Sequence, residues 1–369
     1  MDLKFAKALG AELASKLPWQ EIADSPTVRY YTEWSKFEGY KPLEIPAPLP
    51  GEAGPCKIVL VDGALAAVGR CSGVEVGAAA DVFHNVQINS KILALHASAL
   101  RAAVRITITG QVEPLVVVMS ASAKGAHTAS HVVIEAEPSA AGSVVVYAEA
   151  AEGAMHTAVV EGRLGGDLEY VLVSRGGGPQ YVHSALAVEK SVAARPLAFG
   201  GVMNSVREEY VIGEGASAEV VGLELGVGDS RIDHVVSVIN DAPRGRGFAR
   251  LYAVAADRSF VTQRAVGRIT KRGAGGNSAV EGVVYIAGDG AVANTQPVIL
   301  VETGDVEGAR HSAADAALDE DREFFLRARG VRKDDLPKLL MLSLVDQYLS
   351  SLSETARGVV EPLLKPLFS

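Results

Sequence analysis

The sequence predicts a mainly β protein with helical segments at both ends, on three observations. Between Lys57 and about Arg310, short apolar runs, at 57–61, 104–108, 115–118, 144–147 and 283–286 among others, are broken by Gly, Asp, Asn or Ser, the pattern of strands four to six residues long. A helical period interrupts them only around 91–100, so crossover helices for a doubly wound α/β sheet are missing. Aromatics make up 6% of the chain against 48% hydrophobic residues overall, which calls for a narrow, regular interior of small aliphatic side chains.

Taken in order, residues 1–41 read as a helical segment, with Phe5, Leu9, Leu13 and Leu17 at four-residue spacing and Pro18-Trp19 ending the stripe. Tyr30, Tyr31 and Trp34 read as an aromatic cluster packed on the rest of the fold. Residues 42–56 carry Pro42, Pro46, Pro48, Pro50 and Pro55 and read as an extended linker. Residues 57–310 form the β core. Its pattern fits a β-sandwich and a parallel β-helix about equally, acidic–glycine corners such as Glu214-Gly215-Ala216 being compatible with stacked coils.

Residues 311–369 read as a helical subdomain. Its first helix opens on Asp319, Glu320 and Asp321, carries Phe324-Phe325-Leu326, and closes on Arg327 and Arg329 before Gly330, an order that suits the helix dipole and a glycine cap. Asp334 caps a second helix with an apolar face of Leu336, Leu339, Leu340, Leu344 and Leu349; Ser353 caps a third, limited by Pro362 and Pro366.

Composition excludes several functions. The net charge is −9 with no long basic run, which argues against nucleic acid. The N-terminus has charges throughout and no signal-peptide core, and the apolar run at 115–119 is far short of the roughly 20 residues needed to span a bilayer, so no membrane association is expected. Cys56 and Cys71 are too few for a disulfide framework and imply a reducing, cytoplasmic setting. The glycine runs at 176–178 and 273–276 lack the Lys-Ser/Thr of a phosphate loop and read as turns, so nucleotide hydrolysis is not expected, and no G-x-S-x-G elbow exists. Of eight histidines, seven read as structural. His127 and His131 are too far apart along a strand to share a metal, His84, His96, His156, His183 and His234 read as isolated, and Asp233 and His234 should point to opposite faces. His311, at the change from strand to helix, is the remaining candidate, since imidazole is a nitrogen ligand for iron at neutral pH.

The stretch around His311 resembles the closing segment of the SufB/SufD family, scaffold subunits of the Suf iron–sulfur cluster assembly system. Asn294-Thr295-Gln296-Pro297, His311-Ser312-Ala313-Ala314 and the 324–331 run FFLRARGV stand where the family has a Thr-x-Pro strand end, a histidine followed by small residues, and a helix ending FYLxSRGI. Weaker likenesses at 93–97, 110–115, 159–171, 233–234 and 267–269 extend the resemblance over roughly residues 90–350. It implies a right-handed parallel β-helix core and settles the choice left open by pattern. It also implies a non-catalytic subunit that pairs with a SufB-like subunit near His311 and docks a SufC-like ABC-type ATPase through its C-terminal helices. His311 would be a metal ligand shared with the partner subunit, with no tightly bound cofactor and a transient Fe–S cluster in the complex. The chain departs from the family at Ala309, where SufD members often have cysteine, at Ser312, where SufB members have glutamate, and at Gly282, aligned with a SufB cysteine. The resemblance is therefore closer to SufD. The alternatives are a homodimer acting alone and a β-helix carbohydrate-active enzyme using Glu302, Asp305 and Glu307.

Overall fold

Side chains that alternate between two buried faces set the architecture of the computed structural model, which describes residues 1–20, 31–44, 49–316 and 320–367. From 104 to 315 the chain winds through about eight turns of a parallel β-solenoid, each turn adding one strand to an 11-stranded and one to a 12-stranded sheet. The expected parallel β-helix is the observed fold. Inward-facing Val, Ile, Leu and Ala of successive turns lie in register, as in the column Val104, Val132, Val160, and fill one continuous core. Many strands run 9–11 residues, such as Ala126–Ala136 and Met155–Leu164, longer than the apolar runs suggest. The reason is that polar residues within them, His131 and Glu161 included, are buried rather than turn-forming.

The N-terminal end of the solenoid is closed. Lys57–Val61 and Ala64–Val68 pair antiparallel, and Val74–Ala78 runs antiparallel to Val104–Ile108. The hairpin is clipped at its base by a Cys56–Cys71 disulfide, a single bridge that the reading of two cysteines as too few for a disulfide framework did not anticipate. Helix α1 (Leu3–Leu13), whose N-cap Asp2 accepts from the backbone of Lys4 and Phe5, packs on α2 (Lys91–Ala99). Its buried face is Ala6 and Gly10, not the Phe5 stripe, and Phe5 is 59% exposed. Close approach dictates this: a Cβ on Gly10 would come within 2.7 Å of Ala94 and Ala97. Trp34 stacks on Trp19 and packs with Phe37 and Tyr181, and Tyr31 meets Phe260; Tyr30 falls outside the described residues.

The opposite end is open. The last strand, Val306–Asp315, continues through His311, so the change to helix comes later than the sequence suggests. Helix α3 (Glu320–Arg327) buries none of its residues, whereas α4 (Leu336–Ser351) and α5 (Glu354–Leu364) lie on the outer face of the 12-stranded sheet. Buried Arg195 bonds the carbonyls of Glu219 and Ser351, and Glu169 accepts from the backbone and hydroxyl of Ser353. Ser353 caps α5 as expected, but Pro362 lies inside that helix. The N-cap of α4 is Asp335, without a side-chain bond, rather than Asp334.

Candidate functional site

One inward-facing column of the 12-stranded sheet runs Leu115, Val144, Tyr170, Ala194, Val220, Ala249, Val280 and finally His311. The first seven are buried beneath neighbouring turns; His311 is exposed because no turn follows it. Its strand is the sheet edge, paired on one side only. Such an edge presents unpaired backbone donors and acceptors and is a template for another chain. Around it the open end leaves apolar side chains in solvent: Val292 and Leu300 are 45% exposed and Val301 41%. Beside the edge, Glu219, Val221, Phe248, Arg250, Glu281, Arg310, His311 and Ser312 are among the residues that line a groove of about 360 Å³.

Ligands for a bound metal are few at this end. Among the described residues, no three His, Cys, Asp or Glu side chains converge to hold an ion. Both cysteines are in the disulfide at the closed end. Gly282 cannot be exchanged for cysteine without rearrangement, since a Cβ there would overlap Thr295 Oγ1 at 1.8 Å. Of the acidic residues considered for carbohydrate chemistry, Glu302 pairs with Arg268 at 2.6 Å and Glu307 with Arg246 at 3.4 Å, across turns of the solenoid, so they do not face one another as an acid–base pair.

Four of the five histidines read as isolated, His96, His156, His183 and His234, have side-chain partners, whereas His84 is exposed. His96 on α2, His127 and His131 on the strand Ala126–Ala136, and Thr157 and Glu161 on the next form one buried hydrogen-bonded set. His127 and Thr157 bond across 30 residues, as do His131 and Glu161, so the H-x-x-x-H at 127 and T-x-x-x-E at 157 were the signal: the same spacing one turn apart. Burial pushes His127 down to about 3 and His156, on the lumen side, to about 4. Burial would raise the Glu161 carboxyl, but hydrogen bonds from His131, Asn85 and Val86 outweigh it and hold the group at about 2.

Deeper in the lumen, His234 lies between Glu224, at 2.5 Å, and Glu208, at 3.0 Å, and Tyr210 donates to Glu208. Burial alone would lower His234, yet the two carboxylates carry it to about 9, while burial raises Glu224. Asp233 points the other way, to Arg207 and Thr32, as strand alternation requires. All these lumen groups are sealed from solvent, so His311 and its edge strand remain the accessible site.

Over residues 118–343, more than half of the chain and all of the open end, the sequence matches the family described as SUF system FeS cluster assembly, SufBD core domain. No curated protein matches the chain.

Proposed function

Because the chain belongs to the SufB/SufD family and so has a role in iron–sulfur cluster assembly, we propose that it is a SufD-like, non-catalytic scaffold subunit working in the cytoplasm. In this reading the open end pairs with a SufB-like subunit, α4 and α5 carry a SufC-like ABC-type ATPase, and His311 offers one imidazole to a nascent cluster whose other ligands come from the partner. The cluster is cargo, held in passing.

The observation that carries this reading is His311 itself: an exposed imidazole ending a buried column, on an unpaired strand edge, with no cysteine at that end of the solenoid. A lone neutral nitrogen ligand suits a shared site better than a complete one, because Fe–S clusters are held chiefly by thiolates. The closed N-terminal end supports a limited assembly, since one open end per subunit gives a closed pair and not a filament. A homodimer would use the same edge and is the second reading. Co-expression with SufB-like and SufC-like subunits and purification by a single tag tests the proposal. Recovery of all three supports it; recovery of a self-paired chain free of both favours the homodimer.

A further inference from the structure

Helix α2 begins without the cap its sequence supplies. The first N–H groups of a helix have no partner within it. That of Lys91 donates to the Pro18 carbonyl at 2.7 Å, while those of Ile92 and Leu93 have no partner among the described residues. Ser90 stands at the N-cap, where a serine hydroxyl ordinarily accepts from one of these two groups, yet it makes no such bond. Nor is it turned out to solvent, since Ser90 is only 6% exposed. Instead Ser90, Ile92 and Leu93 together border a cavity of about 150 Å³ between the start of α2 and the outer face of the 11-stranded sheet. The other walls are aromatic: Trp19 and Trp34 stack 5.6 Å apart, and Trp34 packs against Tyr181 at 6.2 Å. Gln20 accepts from Trp34 Nε1 at 2.9 Å, which occupies its carbonyl oxygen and leaves its amide N–H groups to donate.

We propose that this cavity binds a small carboxylate carrying a single flat ring, with its oxygens on the Ile92 and Leu93 N–H groups and the Ser90 hydroxyl and its ring against Trp34 and Tyr181. The unspent groups at the helix start are donors, so their complement is an acceptor. A helix N-terminus favours an acceptor that is negatively charged, and the Lys91 ammonium, 4.4 Å from the centre of the Trp19 ring, adds to the positive potential there. Aromatic walls around a space of this size suit one benzene-sized ring. The charged side chains at the cavity are already committed. Arg207 is spent on Asp233 and on the carbonyls of Val206 and Asp233, Glu208 turns its carboxylate into the lumen, and Glu209 lies 3.3 Å from His183 Nε2. An inorganic anion would meet the donors but leave the aromatic walls uncovered. The site is independent of the role of His311, whose strand belongs to the other sheet.

The chain provides its own reporter. Its two tryptophans, Trp19 and Trp34, both border the cavity. Benzoate titrated into the full chain should change tryptophan fluorescence saturably, with the same dissociation constant by calorimetry. Benzamide, which has the same shape without the charge, and inorganic phosphate, which has the charge without the ring, should each bind at least about tenfold more weakly. Ser90→Ala removes one donor and should weaken benzoate about tenfold. The melting temperature of the unliganded variant should stay near that of the native chain, because the hydroxyl makes no cap bond. The comparison of benzoate with benzamide and phosphate uses the unaltered protein, so it does not depend on how the variant folds. Benzamide or phosphate binding as tightly as benzoate, benzoate binding indifferent to Ser90→Ala, or no saturable binding of benzoate would each overturn the site.

Discussion

Val280 and His311 are register partners on adjacent strands of one sheet, the first 2% exposed and the second open to solvent. The difference is the missing next turn. Sequence puts an apolar residue at every other described rung of that column except Tyr170, which is also buried, and a titratable ligand only at the last. His311→Ala should therefore leave stability nearly unchanged, within about 0.5 kcal/mol as for other exposed positions. If the imidazole is a shared ligand, iron–sulfur loading of the assembled complex should fall about tenfold or more while subunit recovery is kept. Loading measured by the visible absorbance of the cluster decides it, and unchanged loading would remove His311 from the site.

The Glu208–His234–Glu224 set should contribute stability with a pH dependence opposite to that of His127 and His156. His234, raised to about 9, contributes fully below its unfolded value near 6.5 and loses that contribution as pH rises through 9. His127 and His156, lowered to about 3 and about 4, contribute above 6.5 and lose it as pH falls toward those values. Thermal melts from pH 4 to 10 should accordingly peak near neutrality. His234→Ala, which leaves two buried carboxylates without their cation, should cost about 3–5 kcal/mol and remove much of the alkaline limb.

The disulfide closes a loop of 15 residues at the sealed end, a constraint on the unfolded chain of about 3 kcal/mol in the loop-entropy account. Reductant, or Cys56→Ser with Cys71→Ser, should lower the melting temperature without changing association through the opposite end. A cytoplasmic setting would expose this pair to reductants, and thiol labelling of protein taken from the cell would give its state there.

Much of the fold could be read from the chain. The run of short apolar segments without crossover helices limited it to two β architectures, and the motifs around 295, 311 and 324 selected the solenoid. What escaped was long-range pairing. His131 and Glu161 are both polar in sequence and both fully buried in the fold, because the solenoid repeat of about 30 residues brings them together, and the turns vary in length enough to hide that period. The α1 face was misassigned for a related reason. Hydrophobic spacing picked out Phe5, but the tight helix crossing selects the small Ala6 and Gly10. His311 was found because its neighbours carry a family pattern, whereas its exposure depended on where the last strand stops.

The most direct test of the open end as the assembly surface is the mass of the co-purified complex for the native chain and for Leu300→Glu with Val301→Glu, two side chains already 45% and 41% exposed in the single subunit. The account predicts a paired complex for the native chain and a folded, unpaired subunit for the variant. A variant that pairs as well as the native chain would contradict it.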